Sequence, residues 1–408
     1  MAGSTIDHLV SVTVFLAALL LFISLFNQTI QTAILYQRHR SLATKASDLL
    51  DNMMLSTGIP TNWGTSNVTP SGFGLQDPEF TQYMLSSFSL MQLQSSLGQP
   101  VYYSKTGLYY SNITMGFGDF LLVPYNKAVD YSTAARLLGI NGSYGFQLTI
   151  MPLITVSVSE IQAANPLKIT VNVTGAGLPL TYASVSYSFL KVSWTGSYSY
   201  PSYTIKYGSN CTDTTGSVLF TFPEVTNTTI PYSFITYARF SGLVGAGYHQ
   251  RASSQNQYVI PFVDDLTTAG GRVLIAHSYD VHNYGSPEPI AYNATFILLA
   301  QDFTQREMPL NATQKTGIVN YGQGNPYGVV TIPTYNPGIL VITYKVGTQG
   351  GVVLMPWGLS SMAFPVIFGG NPFGNEWVAT DIRQVVVNGV AYQAKLGLWS
   401  LQGYGVIG

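Results

Sequence analysis

LVSVTVFLAALLLFISLF, residues Leu9 to Phe26, is an uncharged run without proline or glycine, and its reading decides the fold. About 18 apolar residues is the short limit for crossing a bilayer and longer than the apolar core of an ordinary secretory signal. No small-residue cleavage pattern follows. Instead Ile30, Ala33, Ile34, Leu42, Ala46, Leu49, Leu50 and Met53 recur mostly three or four positions apart, among Gln37, Arg38, Arg40, Lys45 and Asp48. The spacing predicts one helix from Ile6 to Met54, roughly 70–75 Å long, apolar all round in its first half and striped in its second. Both halves need a partner: lipid or other copies of the chain for the first, a downstream domain or a neighbouring helix for the second. Gly58 and Pro60, in Ser56-Thr57-Gly58-Ile59-Pro60, end the helix.

Composition narrows what the rest does. The 408 residues are 46% hydrophobic, with 28 Tyr and 20 Phe, enough for real cores, while only 9% are charged against about 25% in typical soluble proteins. A net charge of −1 gives neither a basic patch for nucleic acid nor an acidic face for cations, so nucleic-acid binding is excluded. The single cysteine, Cys211, excludes an internal disulfide framework and a multi-cysteine metal site.

Beyond the helix the sequence reads as mainly β, with a small α+β collar and two β-sandwich-like domains. The divisions fall at 1–61 for the helix, 62–152 for the collar, 153–250 for an Ig-like sandwich and 251–408 for a C-terminal β domain. In the collar, Phe88 to Leu97 and Asn126 to Leu138 read as short helices, and Gln99 to Tyr110 as a hairpin turning at Lys105-Thr106-Gly107. Tyr144 to Pro152 alternates as a strand. Short alternating runs from Ile154 to Phe240 predict the sandwich. Gly242 to Gly247 (GLVGAG) lacks the spacing of a phosphate loop and reads as a boundary, either a small-residue strand or a linker. In the last domain, strands are expected from Val273 onward. Asn388-Gly389 signals a two-residue hairpin, and the final strand VAYQAKLGLW should close a sheet, either on the collar or on a neighbour's edge.

The order of polar leader, acidic residue, uncharged apolar half, amphipathic half and β-rich remainder resembles type IV pilins, including archaeal pilin-like surface proteins. LLDNMMLSTGIPTNWG and the strand YGFQLTIMP strengthen the likeness, and GLPLTYASVSYSF with TDTTGSVLFTFP resembles Ig-like modules of surface proteins. The resemblance implies a homo-oligomer assembled through the helix, with Leu9, Phe15, Leu19, Phe22, Phe26, Ile30 and Ile34 in the contact and the membrane as its host before assembly. It also implies that Asp7 pairs with a neighbour's terminal amine, because a carboxylate in apolar surroundings is costly unless paired. The basic residue expected before the family's cleavage site is missing from MAGSTID.

Nine Asn-x-Ser/Thr sequons occur. Eight, at Asn67, Asn112, Asn141, Asn172, Asn210, Asn227, Asn293 and Asn311, follow the anchor and are read as N-glycan sites, mostly in turns or strand ends, of which several should be modified; Asn27, at the end of the apolar half, should be bare. The sequons and the anchor together favour an extracellular location, although Arg38, Arg40 and Lys45 run against the positive-inside preference.

No G-x-S-x-G, S-x-x-K or H-E-x-x-H motif is present. His277, Asp280 and His282 match no metal-ligand spacing, and Asp264-Asp265 reads as an ordinary turn rather than a calcium loop. No enzyme activity, metal or cofactor is expected. Two readings remain: the structural subunit of an extracellular type IV pilus-like filament with a glycosylated β sheath, or a membrane-anchored cell-surface or S-layer-associated adhesin.

Overall fold

The long helix spans Ala2–Leu55, 54 residues. The computed structural model describes residues 2–401 apart from 67, 81, 94–99, 116–118, 126–127, 195–198, 254–257, 268–270, 283–286, 301, 323 and 375–376. The helix changes character at Leu42. From residue 6 to 41 every position is exposed except half-buried His39, whereas Leu42, Ala46, Leu49, Leu50, Met53 and Met54 are buried in the main core. The stripe predicted from spacing is therefore split: its lower part docks on the chain's own β body, and Ile30, Ala33 and Ile34 are left in the open.

The helix sits on an antiparallel sheet ordered Val366–Gly369, Tyr144–Pro152, Val390–Ser400, Ala379–Val387. Its C-terminal hairpin turns at Asn388 (φ 47°) and Gly389 (φ 80°), the doubly left-handed conformation that Asn-Gly tolerates best. The final strand returns to Tyr144–Pro152, pairing Ala394 with Ile150 and Leu396 with Leu148. Phe146, Leu148, Ile150, Ala394, Leu396 and Leu398 all point into the core beneath the helix.

The sandwich holds Ile154–Gln162, Leu167–Gly175 and Ser217–Phe222, with the short Leu178–Pro179, against Leu243–Arg251, Tyr232–Phe240, Ser184–Ser193 and Ser202–Cys211. Its interior is aromatic, with Phe189 stacked on Phe222 at 3.9 Å between centroids. The glycine-rich run expected to mark a boundary is one of these strands. A Cβ on Gly245 or Gly247 would meet the carbonyl oxygen of Ile154 or Val156 at 2.7 Å, so glycine lets the two sheets close together at that edge.

The second face of that sheet is also buried. Leu190, Val192, Ile235, Tyr237, Val244 and Ala246 join the main core together with a five-stranded sheet of Gln305–Met308, Ile290–Leu299, Gly338–Val346, Gln349–Trp357 and Thr316–Val319. Gly338–Val346 is buried at every position, which is why Ile339 to Ile342 read as an apolar run instead of alternating, with Thr343 and Lys345 following.

The stretch from 62 to 152 divides its strands between two sheets. Val101–Tyr103, Leu108–Met115 and Asp119–Pro124 join Val259–Asp265, Arg272–His277 and Tyr327–Thr331 in a six-stranded sheet, while Tyr144–Pro152 belongs to the sheet under the helix. Val259–Asp265 gives little sign of itself in sequence because Pro261 interrupts it. The short helices are Ser87–Met91 and Tyr131–Leu137, the second capped by Asp130, which accepts from Thr133 N–H at 2.7 Å. Expected helix beyond Leu93 falls outside the described residues.

Candidate functional site

Two surfaces dominate this molecule: the bare helix and the joint that carries it. On the helix Leu9, Phe15, Leu19, Phe22, Phe26, Ile30 and Ile34 are all exposed, Phe15 at 66% and Phe22 at 68%, and Asp7 lies exposed just before the apolar run. Thr13 within the run and Thr29 just beyond it bond to their own backbone, donating to the carbonyls of Leu9 and Leu25, both at 2.8 Å. Such bonds let a threonine sit in an apolar environment with its hydroxyl satisfied.

The joint is polar and multidentate. Arg383 donates through Nε to Asp51 Oδ1 at 2.8 Å and through Nη2 to Asp51 Oδ2 at 3.0 Å, a bidentate pair, and Nη2 also reaches Ser47 Oγ at 3.0 Å. Asp51 further accepts from the Tyr83 hydroxyl at 3.1 Å. On the sheet side Arg383 Nη1 donates to Asp381 Oδ2 at 2.8 Å and to the Ile382 carbonyl at 3.0 Å, while Asp381 Oδ1 accepts from Ile382 N–H at 2.8 Å. Ala379–Val387 is an edge strand, so the clamp also occupies outward backbone groups that would otherwise invite another strand. Burial alone would raise the Asp381 carboxyl, but bonds from Ser47, Ile382 N–H and Arg383 outweigh it and hold that group below its ordinary value of 3.8. Bonding to Asp51 raises Arg383.

Aromatic contacts and backbone caps complete the joint. The His39 ring lies 4.0 Å from that of Trp377, and Lys45 Nζ stands 4.9 Å above the Tyr144 ring. The last helical carbonyls are capped from the following segment, Leu75 N–H donating to Met53 O at 2.8 Å and Gln76 N–H to Ser56 O at 2.9 Å. Buried Trp63 folds under the helix end, its Nε1 donating to Gly74 O at 2.9 Å. Sequence reading found the helix, the glycine stop and the tryptophan but missed the clamp. Asp51 and Arg383 are 332 positions apart, and on a helix face Asp51 looks like any solvated carboxylate.

Of the residues weighed for metal chemistry, His277, Asp264 and Asp265 are engaged in local structure. His277 accepts from Tyr279 N–H through Nδ1 at 3.1 Å and meets the Glu288 carbonyl through Nε2 at 3.0 Å, so both ring nitrogens are used. Asp280 has Lys105 Nζ at 4.0 Å. Asp264 accepts from Arg272 Nε at 2.6 Å, and Asp265 accepts the N–H and hydroxyl of Thr267 at 2.9 and 2.7 Å, a self-contained turn. Cys211 is exposed and free.

The sequons fall into different settings. Asn141 and Asn227 lie exposed in turns, Asn311 is exposed and accepts from Thr313 N–H, and Asn210 is exposed near a strand end. Asn112, Asn172 and Asn293 lie within strands. Asn67 lies outside the described residues.

What the fold and site define is a class: a β-sheet body of sandwich-like modules carried on a long, mostly unburied apolar helix. No known family matches the chain, and no curated protein does. Among solved structures, the D0-D1 domain of Intimin is 15% identical, with 54% of this chain and 98% of that chain covered at a TM-score of 0.20. Native E. coli alpha-2-macroglobulin is 9% identical over 68% of this chain and 19% of that one, with a TM-score of 0.21. Likenesses this slight carry no functional meaning.

Proposed function

We propose that this chain is a cell-surface protein held at a membrane by its N-terminal helix, with the β body displayed outside as an adhesive or structural part that acts by contact and not by catalysis. The observation that carries this reading is the contrast along one helix: residues 6–41 are uncovered, while Leu42 to Met54 is packed and clamped. Ile6 to Phe26 rises about 31 Å, the thickness of a bilayer's hydrocarbon core. Each large side chain there gains about 1.5–3 kcal/mol on leaving water. The following exposed stretch, to Ser41, adds about 22 Å of stalk between the lipid and the body. Arg38, Arg40 and Lys45 stand on the body side, which large translocated domains tolerate. Membrane fractionation tests the reading. The full chain should sediment with membranes and be released only by detergent, and a chain beginning at Gln37 should remain in the soluble fraction; a full chain that is monomeric and soluble without detergent overturns it.

A second reading has its own observation. Ile30, Ile34, Leu35 and Tyr36 are exposed beyond any single bilayer span, where neighbouring helices in a filament of type IV pilus style would cover them. In that assembly the helices form the core, Asp7 pairs with a neighbour's terminal amine, and glycosylated β domains form the sheath. Electron microscopy of purified surface material separates the two readings. Filaments, together with loss of copurification for Asp7→Ala but not for Asp213→Ala in an exposed turn, favour assembly; single anchored particles favour the lipid anchor.

A further inference from the structure

N-glycosylation joins the asparagine Nδ2 to the anomeric carbon of a sugar carried on a lipid phosphate. The new C–N bond replaces the sugar C–O bond, the electron pair leaves with the lipid phosphate, and Nδ2 gives up one proton. The acceptor sequence also requires a hydroxyl two residues on, so on a folded chain both the amide nitrogen and that hydroxyl must be within an enzyme's reach. The sequons of this chain differ sharply by that criterion.

Asn293 fails on both counts. Its Nδ2 donates to the Pro201 carbonyl at 2.9 Å, and the hydroxyl of Thr295, buried at 1% exposure, donates to Glu307 Oε1 at 2.5 Å. Asn210 is exposed, but its partner Thr212 is also 1% exposed, donating to the Leu180 carbonyl at 2.6 Å and accepting from Ala183 N–H at 2.8 Å. In the helix Thr29, the partner of Asn27, is bonded to Leu25 O. Asn227 and Asn311 are the opposite case. Both asparagines and both partners, Thr229 and Thr313, are exposed. Asn227 Oδ1 accepts from Thr229 N–H at 3.0 Å, and Asn311 Oδ1 from Thr313 N–H at 3.2 Å and from the Thr313 hydroxyl at 3.0 Å, an exposed bond made to the acceptor residue itself and not to the buried backbone. In both, the side-chain oxygen is the atom engaged with the following residues, and the side chain as a whole is exposed.

We propose that Asn227 and Asn311 are the acceptors of an oligosaccharide transferred to the folded chain from a lipid-phosphate carrier, and that Asn27, Asn210 and Asn293 are passed over. The proposal rests on the surface reading above, since it requires the β body to meet the transferring enzyme. Glycopeptide mass spectrometry of the native full-length protein, with intact mass for Thr229→Ala and Thr313→Ala, tests it. Asn227 and Asn311 peptides should carry sugar, the other three should be bare, and each substitution should remove the mass of one glycan. Sugar at Asn210 or Asn293, or bare Asn227 and Asn311, overturns it. Protease treatment of intact cells separates this failure from failure of the surface reading: a β body cut from outside with bare Asn227 and Asn311 sinks the glycan proposal alone, and an uncut body with bare sites sinks both.

Discussion

At the residue scale, the buried tyrosines make contrasting predictions. Tyr237 donates to the Ser361 carbonyl at 2.7 Å inside the core, whereas the Tyr392 hydroxyl is buried with no hydrogen-bond partner among the described residues. Burial pushes both hydroxyls well up. Tyr237→Phe should cost about 1 kcal/mol, the net worth of a typical hydrogen bond, and Tyr392→Phe should be neutral or stabilising; chemical denaturation of the two variants compares them directly. The Arg383 clamp has a pH signature. Asp381 is held below 3.8 in the folded protein, so its stabilisation is present above the unfolded value and is lost as pH falls through the folded one. Wild type should lose stability as pH drops below about 4, and Asp381→Asn should flatten that part of the profile. Arg383→Ala should cost about 1–2 kcal/mol at neutral pH, at the low end of charge-assisted bonds because the pair is partly exposed.

At the scale of elements, Leu243–Arg251 decides between the two readings its glycines left open, a small-residue strand or a linker, in favour of the strand. Glycine clusters usually mark turns, and Gly242 does adopt φ 84° in one, but Gly245 and Gly247 lie inside a paired strand with Ile154 and Val156 pressed against them. Gly245→Val should cost about 1–3 kcal/mol through overpacking, and a lowered denaturation midpoint with an unchanged slope would register it. A cost as small as that of an exposed substitution would mean the sheets can part freely at that edge. The hairpin at Asn388-Gly389 was legible because two residues fix its geometry locally. Alternation likewise revealed Leu167–Gly175, since every second residue of that strand is buried in the sandwich and those between are only half-buried.

At the scale of the whole molecule, the helix belongs to two environments. Leu42, Ala46, Leu49, Leu50, Met53 and Met54 are core residues of the β body, so the body cannot be separated from the helix at Gly58. A chain beginning at Asn62 should fail to fold, while one beginning at Gln37 should give a folded, soluble body by circular dichroism. Leu50→Ala should cost about 2–5 kcal/mol in that shorter chain. A stable fold starting at Asn62 would show that the helix only leans on the sheet.

The sequence by itself determined the helix, its stop, the hairpins and the β character of the remainder, because these follow from periodicity and local turn chemistry within a few residues. Tertiary structure decided where the helix stops being covered, which strands of residues 62–152 go to which sheet, the Asp51–Arg383 clamp, and which sequons are open. Each of these joins groups far apart in the chain, and a residue carries no local mark of which distant segment will cover it or supply its hydrogen-bond partner.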